Sequence, residues 1–212
     1  MKPILFNTEM VRAILDGRKT QTRRVVKPGH LRVLTSEFHR THPDVPDASL
    51  IKKLCLPPYE PGEILYVRET WRVQSAKRFD STVLIDFKAG GIKSMIHFPG
   101  GQSQGTNRDE YDAFVARWMQ GDGWKPSIHM PKEAARLFLR VMDVRVERLQ
   151  EITEDGAKSE GCERGPSLLC PYISSFLPLW DGTIKPAKID LYGWDANPFV
   201  WVIEFQRGWK VG

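Results

Sequence analysis

Eight residues near the start of the chain, Gly17-Arg18-Lys19-Thr20-Gln21-Thr22-Arg23-Arg24, bring together four cations, two threonine hydroxyls and a glycine without one carboxylate. The acid-free stretch continues to Ser36 and holds six cations, Arg18, Lys19, Arg23, Arg24, Lys27 and Arg32. That is one more than the whole chain's net charge of +5, which leaves the remainder at −1. A basic patch confined to one segment is the electrostatic footprint of phosphate, nucleotide or nucleic-acid binding. It is also how a small protein keeps a solvated face, and composition does not separate the two. Spacing favours binding. Met10, Val11, Ile14 and Leu15 share one face of a 3.6-residue period, Asn7 or Thr8 can cap its start, and Gly17 falls where helices end in a left-handed residue. Lys19 and Thr22 then lie on the turn or strand just beyond and can converge on one small ligand.

The elements that must position these residues read as more strand than helix. Glu63 to Arg68 follows a Pro-Gly turn as an apolar strand, and Thr82 to Phe87 is another, with Ser94 to Phe98 pairing back across Gly90-Gly91. Asn107 to Glu110 has a capping-box-like start, after which Tyr111, Phe114, Val115 and Trp118 form one helical face. Leu137, Leu139 and Val141 alternate, the phase shifts at Met142-Asp143, and the alternation resumes at Val144 and Val146. That pattern predicts a long strand with a bulge, of the kind that bends around a barrel. Phe199 to Phe205 predicts a closing strand with Phe199, Trp201, Ile203 and Phe205 on one face.

At this point the residues carry a resemblance. Gly17-x-Lys19-x-x-Thr22-x-Arg24 after a short amphipathic helix resembles the signature of the ASCH domain family, whose barrel is similar to that of PUA RNA-binding domains. Three further blocks occur in the family's order: Pro61 to Glu69, Ile152-Thr153-Glu154 through Glu160-Gly161, and Phe199 to Phe205. Pro3 to Thr8 and Glu69-Thr70-Trp71 look most like the larger members found in bacteriophages and prophages. The resemblance covers about half the chain. It implies an α+β fold, a single ASCH or PUA-like β-barrel domain over residues 1–212 with flanking helices and two large insertions, at about 72–131 and 162–197. The second is rich in Pro, Gly and aromatic residues with little periodicity, and loops this long are usually functional covers or irregular segments. Trp124, Trp180, Tyr192 and Trp194 either stack on bases or anchor the insertions.

Some small members of the family are amidohydrolases that remove the acetyl group of N4-acetylcytidine, and their catalytic Lys, Thr and Glu align with Lys19, Thr22 and Glu160. A threonine hydroxyl is a poor nucleophile until a base takes its proton, and a lysine serves only if its pKa falls from about 10.4 toward neutrality. Arg18, Arg23 and Arg24 supply a positive field that acts in that direction. The alternatives are plain: a Lys19–Glu160 salt bridge closing the barrel, an ordinary strand threonine, and an Arg24–Glu69 pair. The substrate- or nucleic-acid-binding set comprises Arg18, Arg23, Arg24, Lys27, Arg68, Glu69 and Trp71. The expected partner is a nucleoside or RNA, with single-stranded DNA as an alternative. The other function classes kept open are a non-catalytic RNA- or DNA-binding adaptor in phage or host transcription or translation, and a ribonuclease.

Composition narrows the classes. With 212 residues and 41% hydrophobic content the chain can bury a real core. No apolar run approaches the roughly 20 residues of a membrane helix. The apolar part of Met1 to Phe6 is too short for a signal peptide, and three cysteines suggest no disulfide framework, so a cytoplasmic protein is expected. The spacing of eight between Cys162 and Cys170 is not that of a structural zinc pair, and His39, His42 and Cys55 form no better set, so no metal is expected. The sequence holds no phosphate loop ending in Gly-Lys-Ser/Thr, no dinucleotide glycine fingerprint after a strand and no Gly-x-Ser-x-Gly elbow, which argues against an NTPase, a dehydrogenase and a classical esterase, and no cofactor is expected.

Overall fold

The structure, a computed structural model, describes residues 1–98, 109–121 and 123–208. The linker read at 99–106 and the Asn107 cap lie outside the described residues. In chain order the elements are β1 (Lys2–Leu5), α1 (Thr8–Leu15), β2 (Gln21–Val25), α2 (Pro28–Leu31), α3 (Glu37–Thr41), α4 (Asp47–Leu54), β3 (Ile64–Arg68) and β4 (Trp71–Lys77). There follow β5 (Thr82–Phe87), β6 (Ser94–His97), α5 (Asp109–Trp118), β7 (Phe138–Arg148), α6 (Glu154–Ser159), α7 (Pro171–Asp181), α8 (Ile189–Tyr192) and β8 (Phe199–Gly208). This is a mixed α+β fold, and the chain divides into two compact units, neither of them contiguous in sequence.

One unit comprises 1–12 and 64–139, with 207–208 among the described residues. In it β1 runs parallel to β3, from Lys2 opposite Leu65 to Leu5 opposite Arg68. β4, β5 and β6 form an antiparallel meander, and the β5–β6 turn uses Gly90 and Gly91 with φ of 78° and 82°, a region that side chains rarely adopt. The α5 face made by Tyr111, Phe114 and Trp118 meets Trp71 and Phe98, with Trp71 and Trp118 rings 5.3 Å apart. Aromatic pairs at such distances add to the area that they bury.

The other unit comprises 13–63 and 140–206. β2 is antiparallel to β8, from Gln21 opposite Glu204 to Val25 opposite Val200, and β8 lies beside β7. Along β7 the buried positions switch from Leu139 and Val141 to Val144 and Val146, so the phase shift at Met142-Asp143 falls within one continuous strand. Val200 and Val202 of β8 pack with Leu149, Ile152, Ala157, Phe176 and Trp180.

Two expectations need correcting. The strands lie in two sheets that close no barrel among the described residues: β4 and β6 pair only with β5, and β2 only with β8. Closure would require the outer strands to find each other. Segment 162–197 is also more regular than its composition suggests, because it contains the eleven-residue α7. Pro171 sits at the helix start, where its missing N–H costs nothing, while Pro178 inside the helix disguises the Phe176/Trp180 spacing. The helix start is capped from a distance, since both Glu154 carboxylate oxygens accept from the Tyr172 and Ile173 amides at 2.9 and 3.0 Å. Trp180 donates to the Tyr192 carbonyl at 2.8 Å, Trp194 meets Phe176 edge-on, and Trp124 lies under Arg72. These aromatics anchor their segments.

Candidate functional site

Asn7 caps α1 by accepting from the Met10 amide, and Gly17 ends it with φ of 75°. The turn carries Lys19 into a short antiparallel bridge with Glu160, the residue that caps the end of α6. Thr20 is locked on both sides, its amide donating to the Ser159 carbonyl and its carbonyl accepting from the Phe205 amide. The two chains approach this closely because position 161 is a glycine. Gly161 has φ of 89°, and a Cβ there would stand 2.8 Å from the Ala13 Cβ and 3.0 Å from the Lys19 Cβ.

The Lys19 ammonium, fully buried, donates to Glu160 Oε2 at 2.6 Å and to the Glu160 carbonyl at 2.8 Å. Arg23 donates through one guanidinium nitrogen to Glu160 Oε1 at 3.2 Å and through the other to Glu147 Oε2 at 3.0 Å. Glu147 in turn accepts from Arg145, which also reaches Glu204. An alternating row of charges thus runs from the buried lysine to the half-exposed Glu204. Burial pulls the Lys19 pKa below its ordinary value, and Glu160 pulls it back up. Burial and the neighbouring Glu160 push the Cys162 thiol up to about 11, so it stays protonated at neutral pH.

Thr22 is buried at 1% exposure, and its Oγ1 accepts from the Arg24 guanidinium at 3.2 Å. Arg24 lies opposite Trp201 in the β2–β8 register, and both line a cavity of about 490 Å³. Trp201, Tyr59 and His30 line it together with Val25, Leu56 and Pro58, and Arg24 and Lys27 are its cations, with no carboxylate in the lining. Burial lowers the Arg24 pKa, while Glu160 and Tyr59 oppose that shift. Burial raises the Tyr59 pKa, so the phenol remains a donor at neutral pH. A second cleft of about 740 Å³ lies along Gly17, Arg18 and Thr20, but there Lys158 and Arg164 stand with Asp155 and Glu163, and Arg18 is bonded to Asp16.

The structure therefore brings Lys19 and Glu160 together and sets Thr22 against Arg24. Arg23, expected to face nucleic acid, is 3% exposed and committed to two carboxylates. Arg18 donates to Asp16 and to the Gly161 carbonyl, and Lys27 is exposed. Arg68, Glu69 and Trp71 belong to the other compact unit. There Arg68 donates to the Ile128 carbonyl, and Trp71 is a core residue with no exposure. Glu69 is buried against Arg136, bonded at 2.9 and 2.8 Å. Burial raises the Glu69 pKa against the pull of Arg136. Sequence reasoning missed His30, Tyr59 and Trp201 as lining. Trp201 had a usable signal, its placement on one face of the closing strand, whereas His30 and Tyr59 sit in the segment between β2 and β3, where no periodicity marks them. Among the described residues no group of three or more metal-ligating side chains converges, and no helix is long and apolar enough to cross a membrane.

No family model matches the chain, and neither a curated protein nor a solved structure does. The site is read from its own chemistry.

Proposed function

We propose that the protein recognises a nucleoside or an RNA base, as an ASCH-type protein on a PUA-like framework with added segments at about 72–131 and 162–197. The observation that carries this reading is the cavity beside Arg24, lined by three aromatic side chains and two cations with no acid among them. Its volume of about 490 Å³ falls in the range of roughly 300–1,000 Å³ typical of small-molecule pockets. Stacking on an aromatic side chain is worth about 1–3 kcal/mol per base. A planar guanidinium adds donors that match ring carbonyl and nitrogen acceptors. Calorimetric titration with cytidine tests the reading: the wild-type protein binds, and Trp201→Leu weakens binding about tenfold, the equivalent of about 1.4 kcal/mol. A wild-type protein that binds no nucleoside would overturn it.

Hydrolysis of N4-acetylcytidine is a second reading, favoured by the buried Lys19–Glu160 contact with the lysine pKa drawn down by burial. In it, neutral Lys19 takes the Thr22 proton as Thr22 Oγ attacks the acetyl carbonyl. The C–N4 bond then breaks, the proton passes to the leaving N4 of cytidine, and water cleaves the acetyl-threonine ester to acetate. Because the Thr22 hydroxyl is buried and bonded to Arg24, this chemistry requires the guanidinium to swing onto the substrate. Chromatographic detection of cytidine, lost in Thr22→Ala, tests it.

A further inference from the structure

We propose that the protein pairs with a second copy of itself, the turn at Leu168-Leu169 of each copy seating in the other copy's cleft of about 740 Å³ along Gly17, Arg18 and Thr20. The inference is independent of the nucleoside reading, because this cleft and the cavity beside Arg24 share no lining residue.

Leu168 and Leu169 are 94% and 95% exposed, the two most exposed large apolar side chains among the described residues. They occupy the middle of a turn in which the Cys170 amide donates to Ser167 Oγ at 3.1 Å. Turns are ordinarily filled by Gly, Pro, Asn, Asp or Ser, each of which has a physical reason to be there that leucine lacks. The turn is also well fastened. Outside it the Gly165 amide donates to the Pro171 carbonyl at 2.8 Å, and Gly165 lies so close to the start of α7 that a Cβ there would stand 2.5 Å from Ser175 Oγ. Pro171 begins α7, whose next two amides are held by Glu154. At such exposure neither leucine packs against its own chain, so the pair breaks the local rule with no gain inside the monomer. Breaks of that kind concentrate at functional sites. An apolar turn ordered in advance also loses little conformational freedom when it docks.

Its surroundings decide what the turn docks into. Arg164 and Tyr172 stand just outside the two ends of the loop and both line the cleft, so the projecting and the receiving parts adjoin on one surface. A two-fold contact sets a patch against itself, which requires both parts to belong to that patch. At about 740 Å³ the cleft has room for two leucine side chains, since pockets of roughly 300–1,000 Å³ enclose drug-sized ligands. Tyr172, Cys162 and the alkyl stems of Arg18 and Lys158 offer them apolar surface. The charges agree with this. A patch that meets its own copy must hold both signs, or like charges face each other across the axis. Arg18, Lys158 and Arg164 stand in the cleft lining with Asp155 and Glu163. The cavity beside Arg24, with two cations and no acid, lacks that self-complementarity.

One turn and one cleft from each copy make a contact near the lower bound of stable interfaces, about 1,200 Å² in total, so the pair should form and separate with concentration. Sedimentation velocity of the full chain over about 1–300 µM tests this. The expected result for the wild-type protein is a monomer–dimer equilibrium. Leu168→Asp combined with Leu169→Asp should raise the dimer dissociation constant at least about a hundredfold, since four leucines leave the contact. Aspartate suits a turn, so this variant should keep the wild-type circular dichroism spectrum and, at the lowest concentration, the melting temperature. Thr20→Trp, a change at an exposed residue of the cleft lining, should weaken the dimer with both leucines intact. A wild-type protein that stays monomeric throughout overturns the proposal and leaves the turn to a partner of another kind. A dimer that survives the double change overturns it too, because the contact would then lie on another face. A dimer lost with the leucines but unaffected by Thr20→Trp overturns the seating in the cleft, since the two turns would then meet each other.

Discussion

Replacing Glu160 by glutamine removes the charge that answers a fully buried cation, Lys19. The carboxylate accepts from Lys19 at 2.6 Å and from Arg23 at 3.2 Å, and the lysine side chain is fully buried. Arg23 keeps Glu147 at 3.0 Å, so the uncompensated charge falls on Lys19. Breaking a buried pair from one side costs about 3–5 kcal/mol. For a chain of this size each kcal/mol lowers the melting temperature by about 2–4 °C, so Glu160→Gln should melt roughly 6–20 °C below wild type. The pH dependence has a definite sign. A lysine whose folded pKa lies below its unfolded value binds fewer protons when folded, so stability rises with pH between the two values. Burial already lowers Lys19, and Glu160 is what opposes that shift. In Glu160→Gln the window widens downward, and the gap to wild type should narrow as pH rises from 7 toward about 10. Thermal and urea denaturation across that range measure it. Lys19→Met combined with Glu160→Gln should cost less than the two single changes added, by about 0.5–3 kcal/mol. A variant that melts with wild type, a gap unchanged from pH 7 to 10, or strict additivity would refute the account of a coupled, desolvated pair.

Gly161→Ala should destabilise by about 1–3 kcal/mol in urea denaturation, because φ of 89° and a 2.8 Å approach to the Ala13 Cβ leave no relaxed place for a methyl group. Glu154→Ala should cost about 0.5–2 kcal/mol by leaving the Tyr172 and Ile173 amides uncapped, read as a lower melting temperature. Thr22→Ala should abolish release of cytidine from N4-acetylcytidine while shifting the melting temperature little, and Lys19→Arg should abolish it as well because a guanidinium does not give up its proton.

What the sequence determined by itself is local. The cap at Asn7, the left-handed Gly17, the strands read at Glu63 to Arg68, Thr82 to Phe87 and Phe199 to Phe205 and the phase shift at Met142-Asp143 follow from periodicity and turn chemistry within a few residues. The helix α7 was not legible, because its internal proline and distant Glu154 cap hide a helix that Phe176 and Trp180 stabilise through packing. Tertiary structure decided the charge state of the site. The run Gly17 to Ser36 has no acid of its own, yet Glu160 reaches Lys19 across 141 residues and Glu147 reaches Arg23 across 124. Two of the six cations that mark the segment as a binding surface are thereby buried ion pairs. The aromatic side chains that line the cavity beside Arg24 include Tyr59, far along the chain, and Trp201, set opposite Arg24 only by the β2–β8 register. A sequence displays the sign of each charge, but which charges remain for a ligand depends on the carboxylates that the fold brings within hydrogen-bond reach.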